Sequence, residues 1–364
     1  MYSIRIVGAG SIGNHLAHAA RTRGWQVTLT DIDPLALERA RDDIFPGRYG
    51  AWDDAIQLKL SQDAADDPAD VVFVGTPPDS HVAIALDALE RVTPKVLLIE
   101  KPLAGPDLDR CDELLAAVRK AGTFGAVGYN HCLGQNTLTA ERFLKDGRIG
   151  PVLTITTKTR EHWQGIFNAH PWLSGPTDSY LGFSSRGGGA TGEHSHAINI
   201  WQHFAHLTGA GRVSEVSAMV DRVNDGGVDY DRAAFISLKT ESGMIGDVVQ
   251  DVVTQPAEKS ARLQGENGHV EWLVNAQPGK DLAAVQLVGG DREEVLIEKT
   301  RPDDFIAEID HLAGIMDGSV TASPISLERG LDTLMVIAAV FRSDELGRRV
   351  KIDWSRGYTP DAIV

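Results

Sequence analysis

The chain has 364 residues, 35 Lys and Arg against 51 Asp and Glu, a formal net charge of -16 and two cysteines. That length calls for two domains rather than one core. The acidic balance argues against nucleic acid or an anionic membrane surface as a partner, and no apolar run approaches the roughly 20 residues of a bilayer span.

Residues 3–7 form a short β-rich run that enters Gly8-Ala9-Gly10-Ser11-Ile12-Gly13, and an apolar-periodic helix follows from Asn14. This is G-x-G-x-x-G with a strand before it and a helix after it. The first glycine permits the tight turn, the second lets backbone approach a pyrophosphate, and the third lets helix and strand pack closely. Unpaired N–H groups at the helix start, around Ser11 and Ile12, complement phosphate charge. A second strand, 26–30, ends at Asp31 with no arginine directly after it. An acid there accepts from ribose hydroxyls and repels a 2′-phosphate. NAD is therefore expected over NADP, with Arg39 or Arg41 as the residues able to fold back and change that.

A helix is read over 34–43, and 49–60 stays ambiguous. Residues 70–76 form a buried strand closed by the turn Thr76-Pro77-Pro78-Asp79-Ser80, with a helix over 81–91. The run 96–99 is a second buried strand that ends abruptly in Glu100-Lys101-Pro102. Ligand crevices of open α/β sheets lie outside the carboxyl ends of the strands, so Lys101 is expected to face one. Pro102 restricts Lys101 to extended backbone and permits a cis bond. A helix over about 107–121 and a run over 124–128 complete an alternating pattern that indicates a parallel, doubly wound sheet.

After residue 125 the texture changes. One helix, 137–146, precedes strand-like segments at 152–159, 213–223, 233–239, 246–253, 261–264, 269–273, 285–288 and 295–299, several separated by glycine turns. Helical periodicity returns over 303–316 and 327–343. The expected fold class is α/β: an N-terminal Rossmann domain, 1–125, plus a C-terminal α+β domain, 126–364, with a large, mostly antiparallel open sheet. Residues 1–20 show no charged start before an apolar core, so no signal peptide is read there. Cys111 and Cys132 form no CxxC pair and are expected as free thiols, Cys111 buried in a helix.

In order along the chain, GxGxxG, Thr76-Pro77-Pro78-Asp79-Ser80-His81, Glu100-Lys101-Pro102 and Gly128-Tyr129-Asn130-His131 resemble the glucose–fructose oxidoreductase/inositol dehydrogenase/MocA family of nicotinamide-dependent dehydrogenases. The closing Pro324-Ile325-Ser326, the helix through Ala338-Ala339 and Val350-Lys351-Ile352 extend the likeness over nearly the whole chain. The resemblance implies a sugar or cyclitol handled at a ring carbon, a substrate sheet that also builds dimers or tetramers, and a catalytic pair made of the EKP lysine and a histidine. It places cofactor contacts at Gly8, Gly10, Ser11, Ile12, Gly13, Asp31, Thr76, Pro77, His81, Glu100, Lys101 and Asn130.

The histidine element departs from the family's D-x-x-x-H. Here it reads Gly187-Gly188-Gly189-Ala190-Thr191-Gly192-Glu193-His194-Ser195-His196, with the acid three residues before His196 and Asn199 where an acid is common. This shorter form is similar to a branch associated with surface-sugar metabolism. Cys132 replaces an arginine frequent after the Asn-His pair.

The chemistry assigns His196 as base, given an ordinary pKa near 6.5, Lys101 as the cation and proton-sharing group, and Glu193 as the orienting acid if both lie on one helical turn. Glu193, His196 and His203 would share a face for a metal only if the helix starts early. No HExxH-type spacing is present, and no metal is expected. Arg160-Glu161-His162-Trp163-Gln164-Gly165, with His170, Trp172, Tyr180 and Arg186, is rich in groups that suit a sugar site and equally a packed excursion. Lys101, Tyr129, Arg160, Trp163, Glu193 and His196 are the expected substrate contacts.

The leading reading is a cytoplasmic, homo-oligomeric NAD-dependent dehydrogenase of a sugar, sugar acid or cyclitol. Alternatives are an NAD-dependent glycosidase that uses transient oxidation, and a non-catalytic nicotinamide sensor. The sensor predicts erosion of Lys101 or His196, and the chain keeps both.

Overall fold

A computed structural model describes residues 1–168 and 172–364. Two compact units emerge. The first comprises residues 1–103, 110–130 and 301–330, and the second residues 104–109, 131–300 and 331–364. Chain order alone puts a divide near residue 125. The units interleave because 301–330 returns to the first sheet: Val127 N–H donates to the Ile325 carbonyl at 2.9 Å, and a methyl on Gly330 would collide with the Val127 side chain.

The first unit is a six-stranded parallel sheet: β1 (Ser3–Val7), β2 (Gln26–Asp31), β3 (Ile56–Leu60), β4 (Val71–Val74), β5 (Val96–Ile99) and β6 (Phe124–Val127). The spatial order is β3-β2-β1-β4-β5-β6. Strand order reverses between β1 and β4, which is where such sheets open a crevice. Every residue of β4 and β5 is buried, as continuous apolar runs in a doubly covered sheet require. The helix expected over 34–43 is longer. Pro34–Arg39 continues through a wide turn, Ala40–Ile44, into Phe45–Tyr49. Pro46 stands in the first turn of that last piece, where its missing N–H costs nothing. The ambiguous stretch thus resolves into a helix end and β3. Two further helices start elsewhere than expected, at Pro78 and at Cys111.

The second unit carries a nine-stranded sheet: β7 (Val152–Arg160), β8 (Val213–Asp225), β9 (Val228–Thr240), β10 (Ile245–Asp251), β11 (Glu258–Gly265), β12 (Gly268–Gln277), β13 (Lys280–Leu287), β14 (Arg292–Glu298) and β15 (Val350–Lys351). The order is β14-β13-β12-β11-β7-β10-β9-β8-β15. β7 and β10 pair in parallel and the other neighbours antiparallel. The helix His196–Leu207 lies on β7. Its Trp201 is fully buried and donates Nε1–H to the Ile155 carbonyl at 2.8 Å. The opposite face is open: Phe235 registers with Met219 and with Val249, and Met219 and Phe235 are exposed.

Candidate active site

In the first unit the glycine motif closes tightly. Gly8 has φ +111°, and a methyl there would fall 2.5 Å from the Gly75 carbonyl oxygen. A methyl on Gly13 would collide with the Gly8 carbonyl, whereas one on Gly10 would meet open space. The backbone is therefore locked at both ends and accessible in the middle, as pyrophosphate binding needs. The helix Ser11–Thr22 has no side-chain cap and no acid in its first turn, which leaves its N–H groups and partial positive charge for an anion. Asp31 closes the cradle. One carboxylate oxygen accepts from Ala9 N–H at 2.9 Å and the other from Asp33 N–H at 3.0 Å. Arg41 pairs with its neighbour Asp42 at 2.7 Å. These residues fit a dinucleotide, whose phosphates Gly10, Ser11 and Ile12 would hold and whose adenosine ribose Asp31 would hold.

β5 ends where Glu100 N–H donates to the Val74 carbonyl at 2.8 Å. Gly128, at the end of the neighbouring β6, leaves room for the Glu100 carboxylate: a methyl on it would sit 2.6 Å from Oε2. The Lys101–Pro102 bond is cis, and Lys101 is part-exposed while Pro102, Leu103 and Ala104 are buried. Three expected contacts sit deeper than anticipated. His81 is completely buried, with Nε2 2.6 Å from the Thr76 carbonyl and Nδ1 3.2 Å from the Leu103 carbonyl. It braces two loops against each other and is not displayed to a ligand, and burial pulls its pKa down to about 4. Tyr129 is 1 % and Asn130 8 % exposed, where the chain leaves β6 and enters the single turn Asn130–Leu133.

One residue escaped the sequence reading. Glu308 is completely enclosed on the helix Asp303–Asp317, and burial together with the charges of Glu100 and Asp304 holds its carboxyl protonated well above the usual range. An acid inside the apolar stripe Phe305/Ile309/Leu312 was the available signal.

In the second unit Arg160 ends β7 and donates to Asp251 at 2.6 Å. Its guanidinium is held in place with a third of the side chain exposed. Trp163 is 6 % exposed, packed on Ala190 and Val252 with its ring against Phe167 and Tyr230. It is a core residue, and its faces are occupied by protein instead of being free to stack on a sugar. Trp172 lies at the exposed end of the range, Arg186 sits over the Phe183 ring, and His170 lies outside the described residues. Tyr180 OH donates to Glu193 at 3.4 Å.

The glycine run ends in a short helix, Gly189–Glu193, and a new helix begins at His196. Glu193 and His196 therefore do not share one helical turn, contrary to expectation. The break falls at His194 and Ser195, both buried, and His194 Nε2 meets the Glu161 carbonyl at 3.3 Å. Glu193 and His196 remain part-exposed. The His196 ring stacks on that of His131, centroids 4.1 Å apart. His131 was part of a recognised motif but carried no assigned role. Cys132 donates Sγ–H to Asn199 at 2.9 Å, so the thiol in the arginine's usual place is an internal tie. Cys111 and Cys132 are both buried and unbridged. His203 meets Glu141 at 2.9 Å, and among the described residues no cluster of three or more His, Cys, Asp or Glu is placed to hold a metal ion.

The cradle at the strand-order reversal defines a dinucleotide-binding fold, and comparison with known proteins gives the family. Residues 2–129 match the oxidoreductase family with an NAD-binding Rossmann fold, and residues 137–271 match the GFO/IDH/MocA C-terminal domain. The chain belongs to the GFO/IDH/MocA oxidoreductase family. Among curated relatives, 2,7-anhydro-N-acetylneuraminate hydratase of Escherichia coli K12 is 21 % identical over 95 % of this chain and 85 % of its own length. Inositol 2-dehydrogenase of Rhizobium meliloti 1021 is 27 % identical over 65 % of each chain. Two solved structures share the fold. Aldose-aldose oxidoreductase of Caulobacter crescentus has TM-score 0.76, 22 % identity, and 96 % and 99 % coverage of the two chains. Levoglucosan dehydrogenase with NADH and levoglucosan has TM-score 0.77, 18 % identity, and 96 % and 98 % coverage.

Proposed function

We propose that this oxidoreductase moves a hydride between NAD and a ring carbon of a sugar, sugar acid or cyclitol. NAD supplies the hydride acceptor. The chain's own residues handle the proton: His196 takes it from the hydroxyl, Lys101 stabilises the developing alkoxide, and Glu193 bears on the same hydroxyl group or its neighbour. One observation carries this reading. Of the Glu193–His196 and Lys101–Ala104 segments, Glu193, His196 and Lys101 reach the surface while every other residue is buried. A fold seldom spends two buried turns on displaying an acid, an imidazole and an ammonium without a use for them. Arg160, fixed by Asp251, is the proposed donor to a substrate hydroxyl or carboxylate. In this reading residues 1–125, completed by 301–330, hold the cofactor, and the remaining residues hold substrate.

Inositol, levoglucosan and aldoses are named for relatives or for proteins of the same fold, which makes a panel of cyclitols, anhydrosugars, aldoses and uronic acids with NAD the direct test. Growth of NADH absorbance with one of these classes is the expected result. Turnover of a panel member with bound NAD and no released NADH would overturn net dehydrogenation. The model matched by residues 2–129 is that of an oxidoreductase family, which does not favour the glycosidase alternative.

The open sheet face around Phe235, Met219 and Val249 needs cover, and we assign it to a second copy of the chain, as a homodimer or homotetramer. No helix among the described residues is long and apolar enough to cross a membrane. With two unbridged thiols the cytoplasm is the proposed location, and the -16 charge speaks against a nucleic-acid partner.

A further inference from the structure

The segment that delivers Glu193 and His196 is tied down by a carboxylate more than thirty positions away in sequence. Asp231 on β9 is completely buried. One of its oxygens accepts from Ser184 OH at 2.8 Å, and the other accepts both Thr191 N–H and Thr191 OH at 2.6 Å. Asp231 N–H donates back to Ser184 Oγ at 2.9 Å. These two residues flank the run Gly187-Gly188-Gly189. Gly189 has φ +76°, and a methyl on it would collide with the Asp231 carboxylate, while one on Gly188 would collide with the Tyr180 carbonyl. From the next strand Gln250 reaches the same short helix with the opposite polarity, its Nε2 lying 3.5 Å from the Ala190 carbonyl and 3.4 Å from the Thr191 carbonyl. The acid thus takes the N–H and the amide faces the carbonyls of one helix that stops three residues before His196.

A buried anion with only neutral partners is expensive to keep. A serine and a threonine in an apolar pocket would need no charge to pack. What the charge adds is strength and direction, because hydrogen bonds to an ionised acceptor are shorter and stronger than neutral ones.

We propose that Asp231 is a positioning residue for His196, fixing the Ser184–Thr191 knot from which Glu193 and His196 emerge. The proposal rests on the proposed role of His196. It does not require Asp231 to touch substrate or cofactor.

The test compares Asp231→Ala, Asp231→Asn and the milder Ser184→Ala with the wild type and with His196→Ala. Three readouts are used: amide hydrogen exchange across 187–196, the histidine-ring NMR spectrum with the His196 signal assigned from His196→Ala, and NADH binding by fluorescence. Hydride transfer is measured on whichever of myo-inositol, D-glucose and levoglucosan the wild type oxidises. In Asp231→Ala, exchange in 187–196 rises about tenfold or more, the His196 signal moves, and hydride transfer falls up to about 10²-fold, as for a catalytic group displaced by about 1 Å. NADH affinity stays within about twofold of native, since the cofactor cradle lies in the other unit. Asp231→Asn restores most of the rate, its carbonyl oxygen taking both Thr191 bonds and its amide turning to Ser184. Ser184→Ala gives an intermediate effect and covers the case in which the alanine variant at 231 does not fold.

Native exchange and an unmoved His196 signal in both Asp231→Ala and Ser184→Ala would overturn the proposal. So would native hydride transfer in a loosened Asp231→Ala while His196→Ala is disabled. If His196→Ala itself transfers hydride at the native rate, the assignment of His196 falls and the positioning role falls with it.

Discussion

His81 offers a quantitative check on the loop that carries Lys101. It is 0 % exposed, between the Thr76 and Leu103 carbonyls at 2.6 and 3.2 Å. Two opposed effects act on it: two carbonyl acceptors favour the imidazolium, and burial favours the neutral ring. Burial wins and depresses its pKa from 6.5 to about 4. A neutral ring has one N–H, and the shorter contact assigns it to Nε2. A base with a depressed folded pKa contributes stability that is present above its unfolded pKa, about 6.5, and lost as pH falls towards 4. That shift is worth about 3 kcal/mol in full, most of it lost between about pH 7 and about pH 4.5. His81→Gln keeps an N–H for Thr76 but cannot titrate. At about pH 7.5 it should be less stable than the wild type by about 1–2 kcal/mol, the usual effect of a weakened buried hydrogen bond. By about pH 4.5 the gap should close or reverse. Urea unfolding of both proteins across this range, with the first-unit transition marked by loss of NADH binding, measures it. A gap that stays constant refutes the depressed pKa. A gap that widens on acidification shows a charged His81 bridging both carbonyls, and the argument from burial is then wrong.

Other outcomes follow from single contacts. Gly13→Ala, whose methyl would collide with the Gly8 carbonyl, should cost about 1–3 kcal/mol of stability and weaken NADH binding in a fluorescence titration. NAD(H) should bind more tightly than NADP(H) in the same assay, because a 2′-phosphate would meet the Asp31 carboxylate. Phe235→Glu, on the open sheet face, should yield monomers by light scattering where the wild type gives dimers or tetramers. Asp231 titrates in the opposite sense to His81. Burial raises its pKa from 3.8 to about 6, so its contribution is present below about pH 4 and lost as pH rises through 6, and Asp231→Asn should gain up to about 3 kcal/mol on the wild type over that rise.

Much of the first unit was legible because local rules dictate it. A glycine motif between strand and helix has one good conformation, and the apolar runs of β4 and β5 suit nothing but a covered parallel sheet. The proposed catalytic pair, Lys101 and His196, rests on residue types in motifs. What stayed hidden depends on contacts distant in sequence. Nothing in Glu193-His194-Ser195-His196 announces a helix break, since none of the four is a strong breaker. The break follows from His194 turning inward to Glu161 and from Asp231 seizing Thr191. Trp163 reads as a sugar platform or as core with equal ease, and the decision lies with Tyr230 on β9 and Val252 just past β10, both later in the chain.

The buried polar groups of this chain follow a common logic. Lys101 emerges from a loop fastened by His81, and His196 from a knot fastened by Asp231. In each case the side chain that reaches the surface is part-exposed, and the group beneath it is fully enclosed and bonded to backbone. Enclosed polar groups cost stability that an apolar side chain would not, yet backbone N–H and carbonyl groups in irregular turns have no ladder to satisfy them. A turn that must hold one conformation at a site therefore needs a polar brace from elsewhere in the fold. Removing such a brace should disturb the displayed residue before it disturbs the core. Variants at 81 and 231 would then lose catalytic rate at temperatures where their circular dichroism is still native. A loss of rate that tracks the melting curve in both would show that the braces serve stability alone.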